Sequence, residues 1–120
     1  MSIIVTDTGF APDDWTGEIL DLPPEAEAEP TDAPLIRIRF ASFADGRGFT
    51  LARRLRLQGY KGRLRAAGHV IADQYAMARR SGFDEVEIDE SLAARQPEAQ
   101  WRARADWQGH DYRARLRRPA

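Results

Sequence analysis

The stretch LIRIRF (35–40), ASFADGRGFTLARRLRLQGY (41–60), KGRLRAAGHVIADQYAMARRSG (61–82) and FDEVEID (83–89) reads as strand, loop and helix, the same again, and a last strand. Ile36, Ile38 and Phe40 alternate with Arg37 and Arg39, the two-residue period of a strand that buries one face. The same alternation returns from Arg63 to Ala66 and from Glu85 to Asp89. Between these strands the spacing predicts a helix from about Thr50 to Leu57, with Thr50 as N-cap and Gly59 as stop. A second helix is predicted from about Val70 to Arg80; Ile71, Tyr75 and Ala78 face inward and Gly82 ends it. Connections this short imply parallel strands and right-handed crossovers, so the loops that follow the strands open on one edge. The expected fold is α/β, a small parallel sheet of βαβαβ units, either partly barrel-like or two-layered, with a helical C-terminal region.

On the N-terminal side, Ile3, Ile4 and Val5 suit a short strand, and Pro12 to Trp15 a turn leading to an aromatic anchor. Residues 1–20 are thus expected to form a strand-and-turn piece. Residues 21–34 carry four prolines and five acids with a single leucine. That composition buries too little apolar area to offset the entropy of ordering, so it reads as a mobile linker to a single α/β domain over 35–120. On the C-terminal side Ser91 is a candidate helix cap and Pro97 fits the first turn of a further helix. Trp101, Trp107, Tyr112 and Leu116 are spaced to dock on the sheet or the N-terminal piece, and the basic tail RARLRRP (113–119) is expected to fray.

The 120 residues are 42% hydrophobic and 31% charged, the balance of an ordinary globular domain. No run is long and apolar enough for a spanning helix or a secretory h-region, so a cytoplasmic location is expected. The absence of cysteine removes disulfides, thiol redox chemistry, thiolate-held clusters and cysteine zinc sites. The net charge of −1 conceals a division: residues 1–34 hold nine acidic and no basic groups, and residues 35–120 hold 18 basic against ten acidic, which makes −9 and +8. A nucleic-acid binder with an acidic tail has this outline. The arginines, however, fall at regular strand and helix positions rather than in a run, which favours paired structural charges and no nucleic acid or membrane partner.

In parallel α/β folds ligands bind at the carboxyl ends of the strands. Here that edge is predicted to carry Asp45-Gly46-Arg47-Gly48 after the first strand and Gly68-His69 after the second. Two glycines at a helix start and an arginine fork suit an oxyanion, although the same four residues also suit a plain turn and lack the P-loop spacing. Arg65 and Gln74 complete the expected anion- or ligand-binding set. His69 with Asp73 four residues on is the candidate general base and its orienting carboxylate; a histidine that merely hydrogen-bonds at a helix start is the alternative. No metal spacing accompanies it, since His110 lies in the terminal region, and neither a metal nor a tightly held cofactor is expected. A charged sheet face is expected opposite the apolar one, made of Arg37, Arg39, Arg63, Glu85, Glu87 and Asp89. It should form cross-strand ion pairs between Arg63 or Arg65 and Glu85 or Glu87, and be closed into a concavity or covered by a second copy or a partner enzyme.

The motifs FADGRGFTLARRLR (43–56), GRLRAAGHVIADQ (62–74) and RRSGFDEVEI (79–88) occur in order and closely resemble the bacterial family called domain of unknown function 934. The resemblance covers about residues 35–90 and extends more loosely to Trp15. It implies a place beside assimilatory sulfite reductase and sulfate activation, where such proteins are commonly encoded and are labelled oxidoreductases of sulfite reduction by association. Family members often carry cysteine where this chain has Ser81, so the resemblance carries no thiol role over to that position. The leading expectation is an accessory protein of sulfite or sulfate assimilation that binds an oxyanion or a partner enzyme, such as sulfite reductase, at the carboxyl edge. Two alternatives stay open: an oxidoreductase with a bound flavin or nicotinamide, and a purely structural subunit, including a homodimer.

Overall fold

The computed structural model describes residues 2–42 and 44–107. The chain runs β1 (Ser2–Thr6), β2 (Gly9–Pro12), β3 (Leu20–Leu22), β4 (Leu35–Phe40), α1 (Arg47–Leu57), β5 (Arg63–Gly68), a 3-10 turn (Ala72–Gln74) leading into α2 (Tyr75–Ser81), β6 (Glu85–Asp89), α3 (Glu90–Arg95) and α4 (Glu98–Arg102). All six strands join one sheet in the order β2-β1-β6-β5-β4-β3. β3, β4, β5 and β6 are mutually parallel, whereas the β1–β2 hairpin adds antiparallel to β6. The expected parallel block is therefore present and lies side by side in chain order. The barrel-like alternative is corrected: β2 and β3 are the two ends of an open sheet.

Two boundaries move. Residues 1–20 are not a separate piece, because β1 pairs with β6 along Ile3↔Ile88, Ile4↔Glu87 and Val5↔Val86. The segment read as a linker begins inside the sheet, since Asp21 and Leu22 pair with Arg37 and Ile38. Its next part lies against the body: Pro24 is buried, Ala26 and Ala28 pack on the core, and Gln58 donates to the Ala28 carbonyl at 2.9 Å. The physical reason is a short alternation, Glu25-Ala26-Glu27-Ala28-Glu29, that turns methyl groups inward and carboxylates to water.

The apolar strand positions Ile36, Ile38, Phe40, Leu64, Ala66, Val86 and Ile88 form one face, covered by Phe49, Ala52 and Leu55 of α1, Tyr75 and Ala78 of α2, Leu92 of α3 and Trp101 of α4. Aromatic contacts tie the layers together: Phe40 meets Phe49 at 5.0 Å, and Trp101 stands edge-on to Tyr75 at 6.3 Å. Gly48 lets α1 approach, because a Cβ there would enter the Phe40 ring. Gly82 ends α2 at φ 114°, the left-handed conformation glycine adopts freely.

Helix starts differ from the sequence expectation. α1 begins at Arg47, not Thr50, because the Asp45 carboxylate accepts the Arg47 N–H at 3.1 Å and closes the turn earlier. α2 begins at Tyr75 rather than Val70, because Ile71 is extended and its N–H is taken at 3.1 Å by the Gln74 side chain. The cap of α3 is Asp89, whose carboxylate accepts Leu92 N–H at 2.7 Å and the Ser91 hydroxyl at 3.0 Å; Ser91 is thus its helper. Pro97 is the N-cap of α4. Trp101 docks in the core and Trp107 on the N-terminal hairpin, donating to Asp7 at 3.3 Å, whereas Tyr112, Leu116, His110 and the basic tail lie outside the described residues.

Candidate functional site

The charged strand positions form the second face of the sheet. Arg65 is 1% exposed and sits at its centre, with Nε 2.7 Å from Glu85 and Nη1 2.8 Å from Glu87. Burial pulls its guanidinium toward deprotonation, but the two carboxylates outweigh that and hold the proton more tightly than usual. Arg63 reaches the other oxygen of Glu85 at 3.1 Å, and Arg37 joins Glu87 at 3.2 Å. The anticipated cross-strand pairs are therefore present. The cover over this face includes the chain's own residues: Asp13 reaches Arg65 at 3.3 Å, and the Trp15 ring lies 5.3 Å from the Arg63 guanidinium. Arg37 also forks onto Asp21 at 2.6 and 2.9 Å, and Arg39 touches the same carboxylate at 3.3 Å.

The carboxyl edge is built separately. β4 ends at Phe40, whose carbonyl accepts the His69 N–H at 3.0 Å, and Gly68 turns at φ 98° with Val70 N–H on its own carbonyl at 3.0 Å. This turn leaves His69 exposed on the edge while Val70 enters the core. Because Asp89 caps α3 directly after β6, the last residue of α3, Arg95, returns to the same edge. Arg39, His69, Asp89, Leu92 and Arg95 consequently line one recess of about 260 Å³, with Gly68 and Ser2 in its wall.

The two acids of the recess are already committed. Glu87 accepts from Arg65 and Arg37, and Asp89 from Leu92 and Ser91. The Leu92 N–H and then the Ser91 hydroxyl hold the Asp89 carboxyl below its ordinary range, against slight burial, with the charges of Arg95 and His69 adding to the effect. Arg39 and Arg95 are exposed, and among the described residues Arg39 meets Asp21 at 3.3 Å, whose better bonds go to Arg37. The arrangement offers cationic donors converging on a space of small-anion size. Among the described residues no group of three His, Cys, Asp or Glu side chains is placed to hold a metal.

Of the residues singled out in sequence, His69 reaches this recess, and Arg39, Glu87 and Asp89 reach it from the charged-face set. Asp45 and Arg47 line a neighbouring cleft, but the Arg47 fork is spent on Asp45, at 2.9 and 2.8 Å, and it draws that carboxyl down to about 2. Gly46 stands at the cap of α1 and Gly48 serves packing against Phe40. Arg65 is inside the sheet face rather than at the edge. Gln74 caps the 3-10 turn, and Asp73 is bonded to Arg104 at 2.7 Å. Since residues 69–71 are not helical, His69 and Asp73 do not stand one helical turn apart; the carboxylate whose charge His69 meets is Asp89. Asp89 itself leaves the charged face to cap α3. Ser81 is buried with its hydroxyl on the Met77 carbonyl at 2.9 Å. Sequence reading missed Arg95, and also Arg56, which clamps the ends of α1 and α2 through the carbonyls of Tyr60, Gly62 and Gly82.

The family model described as bacterial protein of unknown function (DUF934) matches residues 20–119, and the chain belongs to that family. Neither the curated proteins nor the solved structures give a match. No helix among the described residues is long and apolar enough to cross a membrane.

Proposed function

We propose that this DUF934 protein binds a small oxyanion in the recess at the carboxyl ends of β4, β5 and β6, as an accessory protein of assimilatory sulfite or sulfate reduction. The observation that carries the binding is the convergence of Arg39, His69 and Arg95 on a recess in which Glu87 is bonded to Arg65 and Arg37 and Asp89 caps α3 while also facing the charges of Arg95 and His69. The pathway rests on the family resemblance and the chemistry of the recess is compatible with it, since sulfate and sulfite are oxygen-rich anions that arginine forks accept.

Calorimetric titration with sulfate and with sulfite at low ionic strength tests the reading. Binding is expected, and Arg39→Ala or Arg95→Ala should weaken it by about 1.5–3 kcal/mol, the scale of a hydrogen bond to a charged group. Arg47→Ala should leave it unchanged, because that fork faces Asp45. Absence of binding, or loss on Arg47→Ala alone, would refute the assignment. Growth of a deletion strain on sulfate, sulfite and sulfide as sole sulfur source tests the pathway; equal growth of deletion and parent on all three would remove it.

A further inference from the structure

Beside the anion recess lies a second hollow of about 660 Å³, and Arg39 and Gly68 line both. Their linings differ in kind. The recess presents Arg39, His69 and Arg95. The larger hollow is walled by Leu22, Pro23, Pro24, Phe40 and Ala41, with acids at its rim that already face arginines: Asp21 is bonded to Arg37, Asp45 to Arg47, and Glu25 lies within the field of Arg47. Apolar walls with a few convergent polar groups at one end are the usual make-up of a site for an organic ligand, and the hollow has the usual size. An inorganic anion would leave this apolar surface wet.

Building on the anion reading, we infer that the natural ligand is an organic oxyanion, a sulfate, sulfonate or phosphate group carried on a flat or apolar body. The anionic group sits against Arg39, His69 and Arg95, and the body lies over Gly68 in the hollow between the β3–Pro24 segment and the end of β4. Gly68 is suited to this junction, since it turns at φ 98° and a Cβ there would press to within 2.6 Å of the Phe40 carbonyl oxygen. The proline pair Pro23-Pro24 then gains a role as the outer wall of a ligand site.

The test compares inorganic sulfate with phenyl sulfate and inorganic phosphate with phenyl phosphate on the full chain, by calorimetry and by amide chemical-shift mapping. The phenyl ester should bind about tenfold tighter or more than its inorganic parent, through apolar area removed from water. Ala41→Trp, at an exposed position in the hollow, should cancel that advantage while leaving inorganic sulfate binding as it was; the melting temperature checks that the variant folds. Shifts at Leu22 and Ala41 that appear with the ester and not with sulfate locate the body without any variant. Equal affinity for ester and inorganic anion overturns this inference and leaves the anion reading standing. An ester preference that survives Ala41→Trp, with no shifts at Leu22 and Ala41, also overturns it. Failure of all four probes to bind removes the anion reading and this inference together.

Discussion

Replacing Arg65 by leucine takes out a guanidinium that is 1% exposed and that joins Glu85, Glu87 and Asp13 at 2.7, 2.8 and 3.3 Å. Removing one partner of a buried pair costs about 3–5 kcal/mol in general, because the remaining charge is left without compensation in a low-dielectric site. Here the two buried carboxylates each keep one arginine, Glu85 with Arg63 at 3.1 Å and Glu87 with Arg37 at 3.2 Å, and Asp13 is partly open to solvent. The loss should therefore sit at the low end, about 3 kcal/mol. The double variant Arg65→Leu with Glu87→Leu leaves Arg63 with Glu85 and Arg37 with Asp21, and the released Asp13 side chain, 27% exposed, is left to water. It should recover to within about 1 kcal/mol of the parent, since apolar replacement of a whole buried pair is often neutral. Urea unfolding at neutral pH reads both values, provided the slope with denaturant is unchanged. A single variant that costs less than about 1 kcal/mol, or a double variant worse than the single, would refute the view that Arg65 is a structural charge held by its neighbours.

Gly48→Ala drives a methyl group into the Phe40 ring and should destabilise by about 1–3 kcal/mol, whereas Gly46→Ala, with φ −81° and nothing within 4 Å, should stay within about 0.5 kcal/mol. Equal urea midpoints for the two would show that α1 does not depend on that close approach. Stability should also form a dome in pH. Bonds from arginines, backbone or hydroxyls hold the carboxyls of Asp21, Asp45 and Asp89 below 3.8 in the fold, and for Asp7 bonds from Tyr75, Trp107 and Arg79 overcome a larger opposing effect of burial. The unfolded chain then takes up protons first, so this stability is complete above about pH 4 and is lost as pH falls through the folded values, to about 2 for Asp45. Burial raises Tyr60 and Tyr75 above 10.0, so the unfolded chain loses those protons first and stability declines as pH rises past 10. A urea midpoint that stays constant from pH 5 to pH 2 would contradict the acid limb.

The parallel block was legible because Arg37, Arg39, Arg65, Glu85 and Glu87 mark the two-residue period so plainly. The flanking strands were not, for a physical reason: β3 has three residues followed by two prolines, and its place in the sheet is decided by Asp21 forking onto Arg37, a contact 16 positions away. The edge that holds the candidate site followed from topology alone. Its residues did not, because local bonds redirected two of them. Asp45 captured Arg47 two positions on, and Asp89 left the sheet face to start α3, which is what carried Arg95 into the recess. His69 survived as a site residue while its expected partner changed, since Gln74 holds Ile71 extended where a helix was anticipated.

The charge division along the chain acquires a structural meaning from the same contacts. Asp7 meets Arg79 at 3.2 Å, Asp13 meets Arg65, and Asp21 meets Arg37 and Arg39, so acids of the N-terminal segment are counter-ions for arginines of the α/β block. These pairs are not of equal weight. The side chains of Asp7 and Asp21 are 41% and 44% exposed, and pairs of that kind contribute about 0–1 kcal/mol and are screened by salt. Arg65 is the buried member, and Trp15 over Arg63 adds a contact that does not depend on matching charge signs. The hairpin is further fixed by β1 in the ladder of β6 and by Glu98 of α4, which takes the Phe10 N–H at 2.7 Å on the open side of β2. That bond also blunts an edge strand that would otherwise present a free donor to another chain. The acidic segment is therefore attached by backbone pairing and one buried guanidinium far more than by the number of its charges, and raising the salt concentration should loosen it little.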